Sequence, residues 1–144
     1  LHVNILFVCT GNTCRSPMAA GMFAQLAVRE KLFSLRIFSA GISAMEGQPA
    51  SANAVQACRE IGVDLERHTA HRLTGDDLAR ADLIVTVSQT HAYILEQAGA
   101  SRGKIYVLGD IRDPFGEDLE TYRACRDELS AALGILIQQV KSHV

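Results

Sequence analysis

The chain has no strong excess of either charge: 14 Lys and Arg stand against 16 Asp and Glu, a net charge of −2 over 144 residues. That balance gives no global attraction to nucleic acid or to an anionic membrane. No apolar run approaches the ~20 residues that cross a bilayer. The opening Leu1-His2-Val3-Asn4 lacks a charged region followed by a long apolar one, so no secretory leader is expected and a cytoplasmic location is. The four cysteines, Cys9, Cys14, Cys58 and Cys125, form no C-x-x-C, which argues against a zinc ribbon or a thioredoxin-type motif. Without a leader they read as reduced thiols rather than a disulfide framework. The one metal-like spacing, His68-x-x-His71, has no further ligands around it, so no metal is expected. There is no internal repeat, low-complexity stretch or linker, and residues 1–144 are expected to form one domain.

What is present is an alternation of strand-like and helix-like segments. Residues 3–8 read as a strand with a continuous apolar run from Ile5 to Val8, as in a strand covered on both faces. A helix is predicted over 17–31, then a strand over 36–39 closed by Gly41, and a loop to about Ala50. Ser51 opens a helix that Gly62 stops. Thr74 to Asp77 reads as a helix start, weaker with Asp than with Glu. Strands over 83–87 and 105–108 flank a helix over 90–98. The last helix, 118–142, carries the apolar stripe Leu119, Tyr122, Leu129, Leu133, Leu136, Ile137 and Val140. Strands separated by helices pair in parallel with right-handed crossovers. The expected fold is therefore an α/β three-layer sandwich, with a four-stranded parallel sheet flanked by helices. Its site belongs at the carboxyl ends of the strands.

The first strand ends at Cys9, followed by Thr10-Gly11-Asn12-Thr13-Cys14-Arg15-Ser16-Pro17. Gly11 and Asn12 are the residues here that most readily take left-handed backbone conformations. A turn of that kind aims successive N–H groups inward as an anion nest. Arg15 can grip two phosphate oxygens at once. Ser16 and Pro17 read as the cap and first turn of a helix whose N-terminus points at the same anion. A cysteine facing these groups is expected to have a lowered pKa and to act as a thiolate nucleophile, with Ser16 donating to the sulfur. Thr10 to Ser16 thus form a phosphate-binding loop after strand 1, with Cys9 at its floor. A lone strand-end cysteine would be a small core hydrophobe, the reading kept for Cys58 and Cys125.

The segment from Cys9 to Ser16 resembles the active-site loop of the low-molecular-weight protein-tyrosine phosphatase family. That family includes tyrosine phosphatases, bacterial protein-arginine phosphatases and thioredoxin-coupled arsenate reductases. The resemblance covers essentially the whole chain: Ser39-Ala40-Gly41, His68-Thr69-Ala70 and Asp113-Pro114 are similar to further family motifs. It implies hydrolysis of a phosphorylated protein side chain through a cysteinyl-phosphate, with no cofactor. Phosphoryl transfer to sulfur needs a proton for the leaving group, and a carboxylic acid on a loop can supply it. The resemblance puts Asp113 in that role, with Asp110 as the fallback. It also implies that Asn12 keeps the loop's shape, helped by Ser39 and His68. Ser88 departs from the acidic residue that many members carry after the third strand.

Thr13 is the discriminating position. Tyrosine phosphatases of the family usually carry Ile or Leu there, whereas Thr resembles the protein-arginine phosphatases. A bulky aliphatic group at the lip favours an aromatic ring, while a hydroxyl suits a polar guanidinium. Phe115 after Asp113-Pro114 replaces the adjacent tyrosines of tyrosine-selective members and offers one apolar wall. Phosphoarginine is therefore favoured, with phosphotyrosine the alternative. An arsenate reductase would need relay cysteines, and residues 80–96 contain none. A silent phosphate-binding module would not need both Cys9 and Asp113. Cys14 is a candidate redox partner for Cys9. Arg67, His71, Arg72 and His91 read as solvated rim. A monomer acting on phosphorylated proteins is expected.

Overall fold

The computed structural model describes residues 2–144. Strand β1 (Val3–Cys9) leads to helix α1 (Arg15–Arg29), β2 (Leu35–Gly41), α2 (Ala52–Arg59) and α3 (Gly75–Arg80). Then come β3 (Leu83–Thr86), α4 (Gln89–Gln97), a 3₁₀ turn at Arg102–Lys104, β4 (Ile105–Val107) and the long α5 (Leu119–Lys141). The four strands run parallel in the order β2-β1-β3-β4. The expected sheet and its flanking layers are present.

The apolar run of β1 explains the layering. Alternate side chains of a strand face opposite ways. Ile5, Phe7 and Cys9 enter the larger core with α1, α2 and α5, while Leu6 and Val8 pack with Ala81, Ile84 and Leu95 on the other face. Phe7 meets Phe23 of α1 with ring centroids 5.5 Å apart. Truncating Phe7, which is fully buried, would cost about 3–5 kcal/mol. On the rim, Arg123 and Arg126 of α5 hold Glu60 beyond α2 at 2.6 and 2.8 Å.

Several local signals resolve differently from the expectation. Helix α1 begins at Arg15 with Cys14 as its cap residue, so Ser16 and Pro17 lie inside the first turn. The Ser16 side chain is committed to the loop behind it and caps nothing. Ser51 precedes α2 without a side-chain cap bond, because its hydroxyl faces the Cys14 sulfur at 3.0 Å. The weak-looking start at Thr74 is a complete capping box with Asp77. Gly62 and Gly99, at positive φ, end the helices they follow.

The chain leaves β1 toward β2 on one side and later returns to place β3 on the other. The carboxyl end of β1 is therefore the switch in strand order where α/β sheets open a crevice. Among the described residues, no helix is long and apolar enough to cross a membrane.

Candidate active site

The loop after β1 is built around Asn12. Its φ of 57° makes the left-handed turn, and Gly11 does not share it. The side chain is fully buried and spends each of its polar capacities. Its amide nitrogen donates to Ser16 Oγ at 2.7 Å and to Ser39 Oγ at 2.9 Å. Its Oδ1 accepts from the His71 backbone N–H at 2.9 Å. His68 Nε2 lies 2.7 Å from the Asn12 carbonyl. A carbonyl only accepts, so Nε2 carries the proton. Gly41 closes the turn from the side: a Cβ there would sit 2.6 Å from the Thr10 carbonyl oxygen and 2.8 Å from the Asn12 nitrogen.

Cys9 lies at the floor, 2% exposed. Its sulfur is 2.8 Å from Ser16 Oγ and accepts from the Asn12 N–H at 3.3 Å. Ser16 Oγ already accepts from Asn12, which leaves its own O–H for the sulfur. Burial nevertheless dominates and pushes the Cys9 thiol up from its ordinary value. The Ser16 hydroxyl, the Ser16 and Asn12 backbone N–H groups and the Arg15 charge all pull it down. The expected lowering is thus overturned, because a sealed strand-end sulfur loses its hydration.

Arg15 is buried beside it. Nη1 donates to the Ile111 carbonyl at 2.9 Å, and Nη2 lies 3.4 Å from Asp113 Oδ2. Its Nε is buried and has no partner among the described residues. An orphaned guanidinium N–H is costly unless an acceptor arrives, and an oxyanion seated over Cys9 would be that acceptor. Asp113 is 48% exposed by its side chain, and its Oδ1 accepts from the Phe115 N–H at 3.2 Å. Asp110 instead takes the first amide of α4, that of Gln89, at 2.9 Å. It anchors the loop after β4 and does not line the cavity.

These groups surround a cavity of about 260 Å³. Residues 9–15 floor it, and Ser43, Met45, Gln48, Asp113 and Phe115 wall it. Thr13 and Phe115 both line it, and Phe115 is 68% exposed. Met45 and Gln48 went unnoticed because the loop between Gly41 and Ala50 shows no periodicity. Ser39 and His68 both contact Asn12 from outside the loop. His71 is tied to Asp77 and Glu46 at 2.7 and 3.1 Å, so it and His68 turn to separate partners. Cys14 is buried between Ser51 and the hydroxyl of Tyr122, at 3.0 and 3.2 Å. Burial and Cys14 push the Tyr122 hydroxyl up to about 12. All four cysteines are free thiols, and Cys58 and Cys125 are in the core.

The family model for low molecular weight phosphotyrosine protein phosphatases matches residues 4–144. The chain belongs to this family. Among its relatives is the protein-arginine-phosphatase of Bacillus subtilis (strain 168), 38% identical over 96% of this chain and 97% of that one. A probable low molecular weight protein-tyrosine-phosphatase, EpsP, of Ralstonia nicotianae is 33% identical over 96% of each. A solved structure of the YwlE arginine phosphatase, a mutant with a phosphorylated active site serine, superposes with a TM-score of 0.91 at 38% identity, over 96% of each chain. Family membership makes the chain a cysteine-dependent phosphatase.

Proposed function

We propose that the protein hydrolyses phosphoarginine side chains of proteins, using Cys9 as nucleophile, Arg15 as phosphate clamp and Asp113 as acid and base. The observation that carries the reading is the convergence of Cys9, the unpartnered Nε of Arg15 and the Asp113 carboxyl on one cavity. Cys9 reacts as the thiolate, held by Ser16 O–H and Asn12 N–H. Sulfur bonds to phosphorus as the phosphorus–nitrogen bond breaks, and Asp113 passes its proton to the departing guanidine nitrogen. Arg15 and the loop N–H groups take the charge on the equatorial oxygens. Water then attacks phosphorus, Asp113 removes its proton, and the sulfur–phosphorus bond breaks to release phosphate and restore the thiolate. No cofactor enters this scheme.

Selectivity is assigned to Thr13 and Phe115 on the cavity wall. The likeness to chains named protein-arginine phosphatases supports the arginine reading. The apolar walls Met45 and Phe115 keep the second reading, phosphotyrosine, in play, since they would flank a phenyl ring. Phosphate release from matched phosphoarginine and phosphotyrosine peptides separates the two, with Cys9→Ser as the blank. Faster phosphoarginine turnover that falls in Thr13→Ile supports the proposal. Faster phosphotyrosine turnover, indifferent to Thr13, overturns the arginine selectivity.

Cys14 completes the reading as a redox partner. Peroxide converts the Cys9 thiolate to sulfenic acid; the Cys14 thiol condenses with it, releasing water and forming a disulfide that a thiol reductant reopens. Cys14 must leave Ser51 and Tyr122 to do so. Full recovery of Cys14→Ser after peroxide and reductant would remove this role. The protein is taken to act as a single-domain monomer in the cytoplasm, a reducing compartment that suits four free thiols.

A further inference from the structure

Thr10 follows the nucleophile, and its hydroxyl lies 2.9 Å from His91 Nε2. The other ring nitrogen, Nδ1, lies 2.7 Å from the Ser88 hydroxyl. Ser88 precedes α4 and caps it, accepting from the His91 backbone N–H at 3.1 Å. Thr86 in turn donates its hydroxyl to the Ser88 carbonyl at 3.0 Å. The imidazole is therefore held at both nitrogens, and His91 is only 6% exposed. The sequence reading of His91 as solvated rim is wrong: the α4 cap turns its ring inward, beneath the loop.

A neutral imidazole has one N–H and one lone pair. Both of its partners here are hydroxyls, which can donate or accept, so either neutral tautomer satisfies both bonds. Burial and the Arg15 charge favour that neutral form, against the pull of Asp113. The ring works as an uncharged strut.

The geometry points to His91 as a positioning residue for the nucleophile loop, tying Thr10 to Ser88 and the start of α4. Asp110 anchors the acid loop at the same helix end, so one short stretch of backbone references both halves of the site. The inference rests on the role proposed above for Cys9. The loop then has side-chain supports along its length: His91 on Thr10, the Asn12 network at its middle, Ser51 and Tyr122 on Cys14, and the Arg15 bond to Ile111 at its end. Remove the first, and Thr10 keeps the main-chain bond from Ser43 but no side-chain bond among the described residues.

Two histidine variants separate the ends of the ring. A glutamine amide reaches the position of Nε2 and can keep Thr10; an asparagine amide reaches only the position of Nδ1 and can keep Ser88. His91→Gln should hold kcat/KM for an aryl phosphate within about threefold, whereas His91→Asn should lose about tenfold or more, because misplacing reacting groups by about 1 Å can cost about 100-fold. Thr10→Val should match His91→Asn, and the Thr10→Val/His91→Asn double variant should be no worse than either single. Inorganic phosphate affinity, measured by calorimetry, should follow the same order. Equal activity and phosphate affinity in the two histidine variants, or additive losses in the double variant, would overturn the proposal. If neither histidine variant folds, Thr10→Val decides alone: a tenfold loss supports the strut and wild-type values overturn it. Wild-type protein that turned over neither aryl phosphate nor phosphoarginine would sink the phosphatase reading, while the phosphate affinities would still decide the role of His91.

Discussion

The two halves of the site are built in opposite ways. The nucleophile loop is buried, and Asn12 alone engages the loop, β2 and the segment around His68 and His71. The acid loop is open: Asp113 and Phe115 face solvent, and Asp110, Ile111 and the Arg15 contact hold it from its base. The contrast matches what the proposed mechanism asks of each half. A loop that stabilises transition-state charge gains from fixed dipoles. A group that hands a proton to leaving groups of different shape gains from access.

The largest way to break the comparison is on the open side. Asp113→Asn should lower kcat for phosphoarginine peptide by about 10²–10⁴-fold, the usual worth of general acid catalysis. The loss should shrink for an aryl phosphate whose leaving group needs no proton. An equal loss on both substrates in steady-state kinetics would mean that Asp113 only positions Arg15.

On the buried side, Asn12→Ala should damage folding and activity together. It strips partners from Ser16, Ser39 and the His71 amide, and each unsatisfied buried group costs about 1–3 kcal/mol. A Tm within a degree of wild type would show that the loop is not the over-determined half.

A finer test is Ser16→Ala. It removes the donor on the sulfur while leaving burial in place, so the Cys9 thiol should move further up. The pH midpoint of iodoacetamide inactivation reads this directly, and an unmoved or lower midpoint contradicts the assignment of the Ser16 hydroxyl as donor.

The smallest expected effect concerns His91. Its folded pKa lies below the ordinary value of 6.5. Above that pH both states are neutral and the group contributes nothing. As pH falls through about 6.5 the unfolded imidazole takes a proton first, so stability drops until the folded value is reached. Asp77, lowered from 3.8, loses its contribution only in a separate, more acidic window. Urea unfolding at pH 7.5 and 5.5 should therefore show a smaller loss in His91→Gln than in wild type.

Much of the scaffold was legible because its signals are local. A continuous apolar run marks β1, and the Gly-Asn pair before Ser-Pro marks the turn between β1 and α1. What stayed hidden depends on partners far along the chain. Thr10 and His91 are 81 positions apart, and Cys14 and Tyr122 are 108 apart. Ser16 looked like a cap because Ser-Pro usually is one; its hydroxyl went to Cys9 and Asn12, a competition only the folded loop reveals. Asp110 and Asp113 are chemically alike, and the α4 amide held by Asp110 is what separates the anchor from the proposed acid.

Gly41 stands opposite Cys9 in the β1–β2 register. A slip by one residue would bring Ala40 or Ile42 there, with a Cβ aimed at the space taken by the Thr10 carbonyl and the Asn12 nitrogen. The sheet therefore checks its own register at the end that carries the Cys9 loop. A mispaired chain cannot close its anion nest, so a molecule able to seat phosphate has, by that fact, aligned its first two strands correctly.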